Sequence, residues 1–259
     1  MQETLRNFYD KLAKGRKKPI QNKIGFINEG YWKGILSDSM ELAQINFIET
    51  LVSFFQKGNK NVLDVACGRG AAALFMTKYF EPENITGIDG LERHIEICKL
   101  IAPESNFQVM DATHLDFPGA SFDNVLCMEA AYHFSPRSKF LEEAYRVLRP
   151  GGHLAVSDIL IKPEEYEDFI FELRRYDTDW SADTWPEENC LSGIAAYKEL
   201  LLGKGFSYVR IEDITEHKEA AFRAFCIKKA EREKDYEMLK LLMDDTPIGT
   251  HCMVYAIRL

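Results

Sequence analysis

Residues 62–70 read VLDVACGRG: an apolar run broken by one carboxylate, Asp64, and closed by Cys67, Gly68 and Gly70. Glycine lets a backbone turn sharply and approach a ligand with no Cβ in the way. A helix that opens after such a turn presents free N–H groups to whatever lies above it. Two chemistries compete for this turn. A dinucleotide fingerprint has the form GxGxxG, and CGRGAAA offers Ala73 as the third small residue. Its pyrophosphate would meet Asp64, and like charges repel. A cationic ligand is favoured instead. The bland alternatives are Asp64 as a strand-end polar residue and Cys67 as a small packing residue.

The elements that must position these residues follow from hydrophobic periodicity. From Lys60 onward, short β-branched runs alternate with helix-period segments. NVLDVA, NITGID, NFQVMD, SFDNVLCM and HLAVSDIL are expected strands. AAALFMTKYF, LERHIEICKLI and SKFLEEAYRVL are expected helices, the last ended by Pro150, Gly151 and Gly152. This alternation predicts an α/β domain with a parallel sheet covered by helices on both faces. Ligands of such sheets bind beyond the carboxyl ends of the strands, where the strand order reverses. Before Lys60 the pattern is helical, LRNFYDKLA and MELAQINFIETLVSFF, joined by the turn-rich IGFINEGYWKGILSDS. After Lys162 it predicts a helix from Pro163, the helix GIAAYKELLLGKG, a strand FSYVRIEDIT, a long charged helix from His217 and a last strand, HCMVYAIRL.

Composition narrows the partners. Forty-one acidic against 32 basic residues give a net charge of −9, which disfavours a phosphate backbone. The one compact basic run, Lys14 to Lys18, precedes Pro19 and reads as a solvated loop. MQETLRNFYDKL lacks the apolar core of a signal peptide, and no apolar stretch reaches the roughly 18 residues that span a bilayer. Six scattered cysteines without a CxxC pair predict reduced thiols in a cytoplasmic protein, with no structural zinc and no disulfides. No His/Asp/Glu cluster has metal-ligand spacing, so no metal is expected.

VLDVACGRG, ITGIDG, QVMDATHLDFPGASFDNVLCMEAAYHF and RVLRPGGHLAVSDIL together resemble class I S-adenosylmethionine-dependent methyltransferases, over roughly residues 60 to 160. The resemblance implies a doubly wound, Rossmann-like, seven-stranded, mostly parallel sheet whose last strands are antiparallel. It also implies S-adenosyl-L-methionine as cofactor and S-adenosyl-L-homocysteine as product. Adenosylmethionine carries a sulfonium and an ammonium and no phosphate, which suits the turn. Asp64 would attract the ammonium. Ala66, Gly68 and Gly70 would pack along the methionine part. Asp89, beside Gly90, has two acceptor oxygens for the two ribose hydroxyls. Asp111 and the N–H of Ala112 would meet the adenine, and Met128 and Glu129 would border the cofactor. Asp89 as a helix cap and Asp111 as a turn residue stay open as structural roles.

Methyl transfer to a hydroxyl needs alignment and proton removal. His133, in MEAAYHF after the fourth strand, is the expected base, since an unperturbed imidazole titrates near 6.5. Asp158, at the end of AVSD, would orient it. This pair is similar to that of small-molecule O-methyltransferases, including those acting on natural-product sugars. Capping of the following helix is the structural alternative for His133. FYDKL and NEGYW are similar to the same group, which makes Tyr31 and Trp32 lid residues over the cofactor, or else core aromatics. Adenine and cytosine N-methyltransferases carry [ND]-P-P-[YF] where this chain has EAAYHF, so no nucleic acid is expected. The aromatics of Glu164 to Ser192, including Trp180 and Trp185, would shape the acceptor pocket with Glu129, or pack helices on the sheet edge.

The expected organisation is a helical lid over residues 1–59, a cofactor-binding core over 60–162, a helical substrate cap over 163–204 and a completing segment over 205–259. The expected function is O-methylation of a small-molecule acceptor by a monomer or homodimer without membrane attachment. C- or N-methylation, and a non-catalytic adenosylmethionine-binding regulator, are the alternatives. A nicotinamide oxidoreductase is disfavoured by Asp64 and the missing final glycine.

Overall fold

A computed structural model of the chain describes residues 28–36, 39–168, 170, 186–190, 193–236 and 249–259. The first of the expected helices (5–13), Trp180 and Trp185 lie outside them. The strands are β1 (Val62–Val65), β2 (Ile85–Asp89), β3 (Asn106–Val109), β4 (Phe122–Met128), β5 (Leu148–Leu160), β6 (Phe206–Asp213) and β7 (Thr250–Arg258). They form one sheet in the order β3-β2-β1-β4-β5-β7-β6. All neighbouring pairs from β3 to β5 are parallel, while β7 runs antiparallel to both β5 and β6. This is the seven-stranded, mostly parallel sheet that the motifs implied.

The central strand VLDV is buried at every position, as expected of a strand covered on both faces. The helices are α1 (Met40–Val52), α2 (Ala71–Met76), α3 (Glu92–Ile101), α4 (Arg137–Val147), α5 (Gly193–Gly203) and α6 (Glu219–Glu233). Two apolar clusters flank the sheet. One gathers Phe47, Ile48 and Leu51 of α1 with Phe75, Met76, Ile95, Met253 and Tyr255. The other gathers Phe140, Leu141 and Ala144 of α4 with Tyr197, Leu201, Val125, Val156 and Val254. The alternation of Met253 and Tyr255 with Cys252 and Val254 sends β7 side chains to opposite clusters, as the two-residue period of a strand requires.

Several boundaries differ from expectation. Helix α2 stops at Met76, and Thr77, Lys78 and Tyr79 continue as a tighter turn, donating N–H to carbonyls three residues back. Strand β5 begins at Leu148 rather than at His153. Helix α4 ends at Val147, before the Pro150–Gly151–Gly152 stretch expected to end it, and that stretch lies inside the strand instead, with Gly151 at φ 77°. The charged helix begins at Glu219 and closes where Lys234 takes a left-handed conformation, φ 56°.

The order reverses between β1 and β4, since β2 and β3 lie on one side of β1 and β5 on the other. The crevice beyond the carboxyl ends of β1 and β4 is therefore the place for a ligand. Among the described residues no helix is long and apolar enough to cross a membrane.

Candidate cofactor and acceptor site

Strand β1 leads into α2 through a turn with three left-handed residues: Ala66 (φ 57°), Gly68 (φ 55°) and Gly70 (φ 80°). Cys67 N–H donates to the Ile88 carbonyl at 2.9 Å, which ties the turn to β2. Gly70 precedes the first residue of α2, and a Cβ there would lie 3.0 Å from Cys98 Sγ. Conformation and space both demand glycine at this point. Ala66 holds a conformation that costs a non-glycine residue energy and that clusters at ligand sites. Cys67 is buried with its Sγ 3.9 Å from Cys98 Sγ. That hydrogen bond, burial and nearby carboxylates push its thiol well above the ordinary value, so it packs rather than reacts.

Asp64 is 1% exposed, and its Oδ2 has no hydrogen-bond partner among the described residues. Burial and then the charge of Asp89 push its carboxyl up to about 8. A buried acceptor oxygen left unpaired is costly. An ammonium donor, such as the methionine end of adenosylmethionine carries, would satisfy it. Asp89 ends β2. Its Oδ2 accepts from Gly68 N–H at 3.0 Å, and its Oδ1 accepts from Leu91 N–H at 2.9 Å. His94 Nδ1 stands 3.2 Å from the same Oδ1. Asp89 thus joins the glycine turn to the start of α3, although the helix is capped at Leu91 rather than at Asp89 itself. Gly90 lies between them. His94 was not singled out by sequence, although its place one turn into α3 is the signal that could have found it.

Asp111, just past β3, is exposed, and its Oδ1 accepts from Thr113 N–H (2.8 Å) and the Thr113 hydroxyl (2.7 Å). Burial alone would raise its carboxyl, but the Thr113 donors hold it below the usual range. Ala112 beside it is buried. The turn role of Asp111 is therefore filled.

At the end of β4, Met128 is followed by Glu129 in a left-handed conformation, φ 54°. Glu129 N–H donates to Ser157 Oγ at 2.9 Å. Its carboxylate pairs with Lys218, which also pairs with Glu29 at 2.7 Å. Lys218 is only 2% exposed. Burial opposes its charge, yet the two carboxylates hold its pKa above the ordinary lysine value. Glu129 is raised by burial even against the pull of Lys218. Nearby His251 is driven down to about 3 by burial and by the Lys218 charge, and its Nδ1 has no partner among the described residues. Lys218 was missed by sequence because it reads as the start of a charged helix, 189 residues from Glu29.

Lys218→Met should leave Glu129 facing the interior without a counter-charge and cost about 3 kcal/mol of stability. Denaturant midpoints check this. Adding Glu129→Gln should recover part of the loss. An unchanged midpoint in the single variant would mean that the cluster is solvated.

His133 sits in a single helical turn, Ala131–His133, between β4 and α4. It is half-buried, its N–H donates to the Ala130 carbonyl at 3.0 Å, and its ring lies 4.0 Å from that of Tyr132. Asp158 is 3% exposed. It accepts from the Tyr197 hydroxyl at 2.8 Å and from its neighbour Ile159 N–H at 2.9 Å. Arg137 Nε stands 3.1 Å from its Oδ2, an ion pair not aligned as a hydrogen bond. Burial raises the Asp158 carboxyl, while Arg137, Tyr197 and the N–H groups of Ile159 and Tyr132 pull the other way. Asp158 therefore reaches the His133 turn through the backbone of Tyr132.

Tyr31 is buried against Phe47 and His217, with ring centroids 6.2 and 6.1 Å apart, and Trp32 packs on Phe225 at 5.1 Å. Tyr31 is thus packed in the core against α1 and the turn at His217, while Trp32 is half-buried against α6. The NEGYW turn that carries them is nevertheless tied to the end of β4, since Glu29 N–H donates to Glu129 Oε2 at 3.3 Å.

Residues 63–156 match the model of a methyltransferase domain. Among curated proteins the chain is similar to phthiotriol/phenolphthiotriol dimycocerosates methyltransferase of Mycobacterium tuberculosis, 31% identical over 191 residues, 73% of this chain and 67% of that one. It is also similar to erythromycin 3''-O-methyltransferase of Saccharopolyspora erythraea, 35% identical over 145 residues, 52% of this chain and 46% of that one. Among solved structures the [4+2]-cyclase SpnF matches with a TM-score of 0.70 at 20% identity, over 98% of this chain and 95% of that one, a likeness of fold.

Proposed function

Because this chain belongs to the class I S-adenosylmethionine-dependent methyltransferases acting on small molecules, we propose that it methylates a hydroxyl of its acceptor with His133 as general base. The cofactor, when bound, supplies a methyl group on a sulfonium, already activated for in-line displacement. Everything else falls to the chain. Asp64 and the 66–70 turn hold the methionine end, Asp89 the ribose hydroxyls, and Asp111 with the Ala112 N–H the adenine. Met128 and Glu129 border the reacting end.

His133 receives the acceptor proton. The observation that carries this reading is its place in the single turn just beyond β4, where the strand order of the sheet opens the crevice. Asp158 is buried and fully engaged, so it acts as a positioning residue behind Tyr132 rather than as a proton carrier. The likeness to an O-methyltransferase supports a hydroxyl acceptor. The net charge of −9 supports a small molecule over a nucleic acid. Trp180 and Trp185 stay candidates for the acceptor pocket on sequence grounds, and Tyr31 and Trp32 for the cover over the cofactor.

Incubating the protein with methyl-labelled adenosylmethionine and fractionated metabolite extracts, followed by mass spectrometry, tests the reading. The label is expected on an oxygen of a small molecule. A label on carbon or nitrogen would replace O-methylation by the other transfer chemistry.

A further inference from the structure

Asn189 comes from the segment after Trp185 and before α5, yet it is 1% exposed and lies against the His133 turn. Its Nδ2 donates to the carbonyl of Tyr132 at 3.0 Å and to the carbonyl of Phe134. Its Oδ1 accepts from Arg137 N–H at 2.7 Å. An N–H cannot accept and a carbonyl cannot donate, so this pattern also fixes which way the amide faces. The two carbonyls belong to the residues on either side of His133. One amide therefore grips the backbone before and after the imidazole and the first residue of α4. Beside it, Ser135 Oγ donates to Glu188 Oε1 at 2.7 Å, a second tie between the same two segments.

From the other side Asp158 accepts from Tyr132 N–H. Tyr132 is thus held at both its N–H and its carbonyl by two buried side chains from distant parts of the chain. Its ring in turn lies against that of His133. A base must meet its proton within hydrogen-bond reach, and a displacement of about 1 Å can cost a hundredfold in rate.

We propose that Asn189 is a positioning residue for methyl transfer, which sets the His133 imidazole through the backbone carbonyls of Tyr132 and Phe134. The inference rests on the reading of His133 as general base. It has a structural corollary: the segment expected to cover the acceptor supplies the clamp that orients the base. Asp158 and Asn189 then work as a pair, one on each side of Tyr132.

The test uses the full chain with labelled histidine and bound adenosylhomocysteine, so no acceptor is needed. The His133 ring signal is identified by its loss in His133→Ala. Asn189→Ala and the isosteric Asn189→Asp both remove the two donor bonds, and the second of these variants keeps an acceptor oxygen toward Arg137 N–H. In both variants the His133 ring shifts and line width are expected to change, while the signals of the other five histidines hold. With an acceptor found in the labelled screen, turnover should fall by up to about a hundredfold at nearly constant KM. The same Asn189 change should add nothing in a His133→Ala background.

An unmoved His133 signal, or additive losses in the double variant, overturns the proposal. So does loss of adenosylhomocysteine binding in both Asn189 variants, because the amide would then support the fold rather than the base. Unchanged turnover in His133→Ala alone sinks the base assignment instead, which separates the two failures.

Discussion

His133→Ala should lower turnover by about 10² to 10⁴ while leaving adenosylhomocysteine affinity within about a factor of two. The size is that of a lost general base. The separation follows from the layout of the crevice. The candidate contacts to the methionine end, ribose and adenine lie on the ends of β1, β2 and β3, with Met128 and Glu129 bordering the reacting end from β4, whereas His133 belongs to the turn between β4 and α4. Its removal takes away proton acceptance and leaves the 66–70 turn, Asp64 and Asp89 untouched. Calorimetry with adenosylhomocysteine and rates with labelled adenosylmethionine measure both halves. Turnover equal to that of the parent protein would remove His133 from the chemistry.

Asp64→Asn should weaken cofactor binding by about thirtyfold to several thousandfold, as expected when one partner of a buried charge pair is lost. The same change should stabilise the protein without ligand. The folded carboxyl titrates at about 8, far above the ordinary aspartate value of 3.8. Between those values the folded chain keeps a proton that the unfolded chain gives up. Stability therefore falls as pH rises through that window, and the loss levels off above about pH 8. Asparagine carries no such penalty. The thermal midpoint of the variant should match that of the parent near pH 4 and exceed it by on the order of 10 °C at pH 8. Binding an ammonium to the parent at pH 7 should also release a proton, visible as a buffer-dependent heat. A variant that loses neither affinity nor the pH-dependent gap would mean that Asp64 meets no cation.

The half of the site built from β1, β2 and β3 was legible because each group sits next to its strand end. Asp64, Gly68, Gly70 and Asp89 are local in sequence, and the turn that needs them is local too. The sheet was legible for the same reason, since apolar runs of period two or of full burial mark the strands. The acceptor side was only partly legible. The positions of His133 and Asp158 could be named, but not that Tyr197 and Arg137 engage the Asp158 carboxylate. Lys218, His251 and Asn189 carried no local signal. Lys218 lies 189 residues from Glu29, and Asn189 lies 57 from Tyr132. A lysine at the head of a charged helix looks solvated, and a buried asparagine looks like a loop residue, until the chain has brought its partners round. Likewise Tyr31 and Trp32 offered a lid or a core from sequence, and which contacts they make depended on where α6 packs.

The place of β7 has a consequence for synthesis. Residues 250–258 are inserted between β5 and β6 and pair with both. While they are still inside the ribosome, β6 has no neighbour in the sheet and β5 shows an open edge. Such an edge invites pairing with another chain, and long-range pairing of this kind is slow. His251 and Cys252, which lie in register with Ile159 and Asp158, arrive with the same strand. A nascent chain can therefore shape the glycine turn early, but the strand that covers the edge of β5 at Asp158 and Ile159 is in place only once residues 250–258 have emerged. A stop codon that removed β7 should yield an aggregating chain rather than a weakened enzyme.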